Sequence, residues 1–212
     1  NTDLSFILKS EAMLHKQFEL LRSDITDAEK DTLNQDIIEL FSSVLIQPES
    51  FFYPWHELNM IGKIKSNDMT VNIFTWHIEK SNNEYLYSGI LQYRLPGRKN
   101  KDKTLVFPLT DKSGSLKNPE KIILSADNWY GSLYYSISTF THRKNTWYAL
   151  LGFDFNNNFS NKKCIEILQF EHNEPVFGGE IKVDKEENKR LIFEYSSNVV
   201  MYLRFDDNLQ QI

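Results

Sequence analysis

Residues 146–155 are TWYALLGFDF, residues 156–158 are NNN, and residues 163–171 are KCIEILQFE. Two apolar segments rich in aromatic and β-branched residues thus flank a cluster of asparagines. This pattern is typical of two strands that are joined by a turn, because asparagine tolerates the left-handed backbone geometry that turns need. A connection this short cannot contain a crossover helix, so the pattern predicts an antiparallel pair.

The same alternation of strand-like segments and polar turns extends over residues 60–205. It predicts about ten strands, near 60–65, 69–78, 84–94, 104–109, 132–141, 146–155, 163–171, 176–183, 189–196 and 199–205. The last of these alternates in side-chain polarity, which places Val199, Met201, Leu203 and Phe205 on one face. We therefore expect a large antiparallel β-meander, and the pattern leaves open whether it forms a sandwich, a barrel or one curled sheet.

The first 48 residues have helical periodicity instead. Apolar residues at positions 4, 7, 14, 18 and 21 predict a helix over residues 3–22. Thr26 and Glu29 have the spacing of a capping box, which predicts a second helix that ends near Ile46, before Pro48. The two helices form a hairpin, or either of them packs on the sheet. The predicted fold class is α+β in a single domain, 1–212, with a helical segment at 1–48 and an antiparallel β body at 49–212.

Composition excludes several classes of protein. The 212 residues are 41% hydrophobic and carry a net charge of −5, which indicates a folded core and argues against general nucleic-acid binding. We expect no membrane span, because no apolar run approaches the roughly 20 residues that cross a bilayer. The single cysteine excludes an internal disulfide.

The end of the sequence also carries an expectation. Residues 206–208 form a turn signal, and residues 209–212 resemble the start of one more strand. We expect residues 209–212 to pair with residues 199–205, and the natural protein to continue past Ile212.

Local motifs for catalysis or metal binding are weak. Residues 154–160 place oxygen-bearing side chains at alternate positions, but Phe159 and Ile165 occupy the glycine and glutamate positions of a calcium loop, so a turn is expected. Cys164 is expected to fill space on a strand, and Ser113-Gly114-Ser115 lacks the elbow of a serine hydrolase. The histidines have no zinc-site spacing; they are His15, His56, His77, His142 and His172. We predict no metal and no cofactor.

Charged residues offer two further candidates. Glu166, Glu180 and Glu194 lie on or near predicted strands, where a water-facing position is expected, although glycosidase carboxylates also come from separate strands. One loop collects several basic residues and could meet an anionic surface, but we expect it to be solvated. Its members are Arg94, Arg98, Lys99, Lys101 and Lys103.

Aromatic residues are concentrated near Gly131. Trp129, Tyr130, Tyr134 and Tyr135 surround this glycine, and Trp147 and Tyr148 follow on the next predicted strand. Clustered tryptophan and tyrosine rings suit stacking on sugars or peptides, and they also stabilise sheets from within the core. Whether these rings are buried or open therefore separates the two interpretations.

Several of these segments together resemble a group of uncharacterised proteins from Bacteroidetes. They are residues 128–135 (NWYGSLYY), 147–154 (WYALLGFD), 175–178 (PVFG) and 193–196 (FEYS), together with the 199–205 strand. The resemblance covers most of residues 60–205 and consists of strand and turn segments. It implies an exported protein, secreted or in the periplasm and cell envelope, and it implies no particular activity.

These observations favour a non-enzymatic binding or interaction module of the bacterial cell envelope, with a glycan or protein ligand. The alternative is a hydrolase whose carboxylates converge from separate strands. A cleft that is lined by rings favours binding. Two carboxyl groups within about 10 Å in one pocket favour hydrolysis.

Overall fold

The computed structural model describes residues 2–97, 103–142, 145–183 and 185–206. Two helices come first, α1 (Thr2–Leu21) and α2 (Asp27–Leu45). The Thr26 hydroxyl accepts the Glu29 backbone N–H, and the Glu29 carboxylate accepts the Thr26 backbone N–H, so the predicted capping box is confirmed. Both helices pack on a sheet and on each other, through a core that contains Ile7, Leu14 and Phe41.

Twelve strands follow within the described residues. They are β1 (Gly62–Lys65), β2 (Val71–Glu79), β3 (Tyr85–Arg94), β4 (Thr104–Thr110), β5 (Leu124–Ser125), β6 (Leu133–His142), β7 (Asn145–Asp154), β8 (Ser160–Glu171), β9 (Glu174–Phe177), β10 (Ile181–Val183), β11 (Glu186–Asn188) and β12 (Arg190–Ser196). Every strand pair among them is antiparallel. The α+β class is therefore confirmed.

The strands form two large sheets and one small hairpin. The first sheet has the meander order β1-β2-β3-β4. The second has the order β5-β9-β8-β7-β6, and β12 pairs with the part of β8 that β9 leaves free. Strands β10 and β11 form the separate hairpin. Neither large sheet closes on itself within the described part of the chain.

The three layers are the helices, the first sheet and the second sheet. Alternate residues of β2 explain this order, because successive side chains of a strand point to opposite faces. Phe74 and Trp76 pack against the helices, whereas Val71 and Ile73 pack against the second sheet. The first sheet is thus buried on both faces, and the two sheets form a sandwich.

The predicted strand 199–205 is wrong. After β12, the backbone N–H of Val199 bonds to the Ser196 carbonyl and turns the chain away from β8. Val200 and Tyr202 are then 74% and 85% exposed, although the Tyr135 hydroxyl donates to the Leu203 carbonyl. The segment lies against β6, with the Phe205 ring 5.5 Å from that of Phe140, but residues 199–205 form no backbone ladder there. Alternating polarity shows that one face packs on a neighbour, whereas a strand also needs backbone hydrogen bonds.

The structure divides one predicted strand in two, and two other expectations fall wholly or partly outside the described residues. Residues 176–183 form two strands, β9 and β10, because Gly178 (φ +116°) and Gly179 interrupt the ladder between them. The expected pairing of residues 209–212 lies outside the described residues, as do Arg98, Lys99 and Lys101 of the basic loop.

Candidate functional site

The aromatic cluster near Gly131 is part of the core. Trp129, Tyr130 and Tyr134 are 0%, 4% and 1% exposed. The Trp129 backbone bonds to Thr110 of the first sheet, and its indole N–H donates to the Tyr134 hydroxyl at 2.8 Å. These three rings therefore fill the space between the sheets and do not form an open stacking platform.

A buried ion pair lies beneath this cluster. Arg190 Nε donates to Glu166 Oε1 at 2.6 Å, and both side chains are fully buried. The Tyr134 hydroxyl donates to the second oxygen of Glu166, and Arg190 also donates to the carbonyls of Ile122 and Phe177. Burial and the neighbouring Glu166 charge raise the Tyr134 pKa far above its usual value. The expectation that Glu166 faces water is wrong, because its strand face belongs to the inter-sheet core.

Cys164 lies on the same face of β8, beside this pair. Its side chain is 2% exposed, and Sγ is 3.5 Å from the Ser132 hydroxyl. Burial and then the Glu166 charge raise the thiol pKa to about 12. A thiol that stays protonated and dry is not a nucleophile, as expected for a residue that fills space.

A cavity opens at one end of the sandwich, and we call it the carboxylate cleft. Its volume is about 740 Å³, and its lining includes Tyr87, Tyr130, Asp154, Asn156, Lys162 and Glu194. Asp154, Lys162 and Glu194 stand side by side on β7, β8 and β12, because Lys162 is in register with both acids. Neighbouring side chains on one sheet face are close enough to interact, so the cleft has a charged floor.

The two carboxylates of this floor both accept hydrogen bonds from one residue, Asn156. Asp154 Oδ1 accepts the Tyr87 hydroxyl at 2.8 Å and the Asn156 backbone N–H at 2.6 Å. Glu194 Oε1 accepts the Ser160 hydroxyl at 2.5 Å and the Asn156 side-chain amide at 3.2 Å. Burial and the Asp154 charge raise the Tyr87 pKa. The arrangement gives the cleft two carboxylates from separate strands.

A second cavity lies at the opposite end of β7 and β8, and we call it the tryptophan pocket. Its volume is about 400 Å³, and Tyr93, Trp147, Tyr148, Gln169 and Phe170 are among its lining residues. The Tyr93 and Phe170 rings stack with centroids 3.6 Å apart. The Trp147 indole N–H donates to Gln169 Oε1 at 2.9 Å, which fixes the orientation of the ring.

Asp68 also borders the tryptophan pocket, but its oxygens are occupied. Oδ1 accepts the hydroxyls of Ser66 and Thr70 at 2.5 and 2.8 Å, and Oδ2 accepts the Tyr148 hydroxyl at 2.8 Å. Burial raises the Tyr148 pKa to a value above that of free tyrosine. Asp68 therefore positions Tyr148 and Thr70, and the exposed Glu171 is a second carboxylate in the pocket lining, 3.4 Å from the Gln169 amide nitrogen.

The remaining sequence candidates are not brought together. In the 154–160 loop, Asn157 Oδ1 accepts the backbone N–H groups of Phe159 and Ser160, which is the chemistry of a turn. Ser113 and Gly114 border the carboxylate cleft, and no histidine is among its lining residues. The described residues contain no group of three or more His, Cys, Asp or Glu that could hold a metal ion.

The other charged candidates lie on the surface. Glu180 pairs with Lys182 at 2.6 Å, and both side chains are exposed. The Arg94 guanidinium lies over the Phe52 ring, 5.2 Å from its centroid, and Lys103 is exposed. Glu180 and Lys103 thus face water as expected, whereas Arg94 is half-buried beside Phe52.

Sequence reasoning missed Lys162 and Asn156 of the carboxylate cleft and Tyr93 of the tryptophan pocket. The turn at residues 156–158 predicts the end of a hairpin, and the chain positions of Asn156 within it and of Lys162 shortly after it were a usable signal. No local signal pairs Tyr93 with Phe170, because the two residues belong to different sheets.

Comparison with protein-family models, with curated proteins and with solved structures gives no significant match. No helix in the described residues is long and apolar enough to cross a membrane.

Proposed function

We propose that the protein is a non-enzymatic binding module of the bacterial cell envelope, and that a glycan binds in the tryptophan pocket. One observation supports this most directly. Of the four tryptophans, all of them in the described residues, Trp55, Trp76 and Trp129 are at most 2% exposed, and only Trp147 is partly exposed at a cavity. A partly exposed indole lacks the stabilisation that full burial of its large apolar surface would give. A tryptophan that lies open at a pocket is therefore typical of a ligand contact.

The chemistry of the pocket suits a sugar ring. The apolar face of a pyranose packs on an indole, and its hydroxyls need hydrogen-bond partners at the edge of that contact. Gln169 and Asn145 provide amide groups there, and the Gln169–Trp147 hydrogen bond holds the indole ready before the ligand arrives. A site that is already ordered loses little conformational entropy when it binds.

The proposed location in the envelope is supported by the resemblance of residues 128–135, 147–154 and 175–178 to exported proteins of Bacteroidetes. A module that binds a glycan by stacking needs no nucleophile and no metal. Two carboxylates line the pocket, Asp68 and Glu171, and Asp68 already accepts hydrogen bonds from the protein itself.

The test is a calorimetric titration with soluble cello-, xylo- and chito-oligosaccharides and with oligosaccharides released from bacterial envelope polysaccharide. We expect at least one series to bind, and Trp147→Ala to weaken that binding about tenfold or more, because stacking on one aromatic ring contributes on the order of 1–3 kcal/mol where it has been measured for nucleic-acid bases. Phe159→Ala is the matched control, since Phe159 is 84% exposed at the other end of the sandwich. Binding that survives Trp147→Ala, or no binding in any series, would overturn the proposal.

A hydrolase is the second candidate, and the carboxylate cleft favours it. Asp154 and Glu194 come from separate strands, line one cleft and both accept hydrogen bonds from Asn156. Two carboxyl groups across a sugar ring can serve as proton donor and as base or nucleophile. Release of nitrophenol from aryl glycosides by the wild type, and its loss in both Asp154→Asn and Glu194→Gln, would establish hydrolysis. Equal rates with wild type and both variants would exclude it at this cleft.

A further inference from the structure

A groove on the outer face of the second sheet adjoins the tryptophan pocket. Its volume is about 490 Å³, and Ile123, Phe140, Trp147, Ile167, Gln169 and Gly179 are among its lining residues. Trp147 and Gln169 line both cavities. The indole, held by its hydrogen bond to Gln169, therefore stands at the boundary between the pocket and the groove.

Two glycines between β9 and β10, Gly178 and Gly179, line the groove. A Cβ atom on Gly179 would come within 2.6 Å of Ile167 Cγ2, so this position accepts no side chain without displacement of Ile167. Gly178 has φ +116°, a backbone conformation that other residues rarely adopt. The same break that ends β9 thus leaves the sheet surface open beside Trp147.

The two cavities differ in chemistry. The tryptophan pocket carries amides, hydroxyls and the carboxylates of Asp68 and Glu171 beside its rings. The groove has the aliphatic and aromatic walls of Ile123, Phe140 and Ile167, and Glu180 and Lys189 also line it. Ile123 is 55% exposed, so its side chain presents apolar surface to whatever enters the groove. Hydroxyl-rich and methyl-bearing parts of one ligand would be matched to different sides of the indole.

We infer that Trp147 divides a two-part site, in which one sugar ring occupies the tryptophan pocket and an adjoining ring with an acetamido group occupies the groove. This inference rests on the proposed glycan-binding function and adds to it the class of ligand, an N-acetylated oligosaccharide of at least two rings. The acetamido methyl packs against Ile123 and Phe140, while the ring hydroxyls of the first sugar meet the pocket's amides. A ligand that links both parts binds more tightly than either ring alone.

The experiment compares N-acetylglucosamine, chitobiose and cellobiose in calorimetric titrations of the full chain. We expect chitobiose to bind about tenfold or more tightly than N-acetylglucosamine and than cellobiose, because it alone fills both parts with the required chemistry. Ile123→Glu places a charge in the groove, and we expect it to remove the advantage of chitobiose over cellobiose without weakening cellobiose. Val200→Glu is the matched control, since Val200 is an exposed aliphatic residue that lines neither cavity.

The outcomes separate this inference from the proposed function. Equal affinities for the three sugars, with Ile123→Glu without effect and Trp147→Ala still damaging, would overturn the two-part site and leave glycan binding intact. Cellobiose binding as tightly as chitobiose would overturn the acetamido assignment. Affinities that Trp147→Ala leaves unchanged would remove the proposed function, and this inference with it. Thermal unfolding of each variant shows that a lost affinity is not a lost fold.

Discussion

Two rows of side chains on the inner face of the second sheet lie four residues apart along the same three strands. In the inner row, Glu166 stands between Leu150 and Arg190; in the outer row, Lys162 stands between Asp154 and Glu194. Both rows place opposite charges on neighbouring strands. The inner row is dry beneath Trp129, Tyr130 and Tyr134, whereas the outer row lines the carboxylate cleft. The role of each row therefore depends more on whether core residues cover it or a cleft opens onto it than on the residues within the row.

This difference sets the energetics of each row. A buried carboxylate without its partner retains the full penalty of desolvation, so a buried pair fails badly when one member is removed. An exposed pair is screened by water and contributes little. The inner row is thus a structural device, and the outer row is available to a ligand.

The largest expected effect is at the inner row. Glu166→Gln removes the charge that Arg190 Nε contacts at 2.6 Å and leaves a buried guanidinium without its counterion. We expect the free energy of unfolding to fall by about 3–5 kcal/mol in urea denaturation. Glu194→Gln is the matched control in the outer row, with an expected change of under about 0.5 kcal/mol. Equal losses in the two variants would contradict the distinction between the rows.

A second prediction tests whether water reaches the space between the two rows. Cys164 lies between them, in register with Gly152 and Ile192, and burial raises its pKa to about 12. Since the ordinary thiol pKa is near 8.5, we expect alkylation of the native protein near pH 8 to be on the order of 10³-fold slower than in denaturant. Mass spectrometry counts the modified thiol. Rapid alkylation of the native protein, at a rate independent of unfolding, would mean that the cleft extends to Cys164.

The strands of this sheet were predictable because their signals are local. The segments TWYALLGFDF and KCIEILQFE, with an asparagine turn between them, correspond to β7 and β8 within a few residues. The capping box at Thr26 likewise gave the start of α2. Turn chemistry and capping act within a few residues, so one sequence suffices for them.

The functional geometry was less predictable because it depends on contacts between distant segments. The Trp129 backbone N–H donates to the carbonyl of Thr110 in the first sheet, which holds this residue between the sheets. No local pattern predicts that contact. Glu166 did carry a signal that was missed, since it shares its strand face with Cys164 and Leu168, both apolar and buried. An acid on an apolar face requires a buried partner, which Arg190 provides. The 199–205 segment shows the converse, a strand pattern whose side chains contact β6 without a backbone ladder.

A third prediction concerns pH near the outer row. His77 packs against the Phe155 ring, which follows Asp154 in the chain, and burial and then the Arg22 charge lower the pKa of its imidazole, opposed by Glu79. The unfolded chain then binds a proton near the ordinary pKa of about 6.5, while the folded protein does not. Stability should therefore fall as the pH drops below that value. Thermal melts of wild type and His77→Gln test this, and a slope that the substitution leaves unchanged would assign the effect to other groups.

The smallest expected effect is at Lys162, in the middle of the outer row. Lys162 faces an acid on each side, but its charge borders an open cleft, so cross-strand attraction is weakened by water. We expect Lys162→Gln to lower the free energy of unfolding by about 0.5 kcal/mol at low ionic strength. That loss should shrink in about 0.5 M salt, where the Debye length is only a few ångströms. The Glu166→Gln loss should persist in the same salt, because the inner row excludes ions. Urea denaturation of both variants at the two ionic strengths measures the contrast. If the loss of unfolding free energy in Lys162→Gln were the same at both ionic strengths, the outer row would be as dry as the inner one.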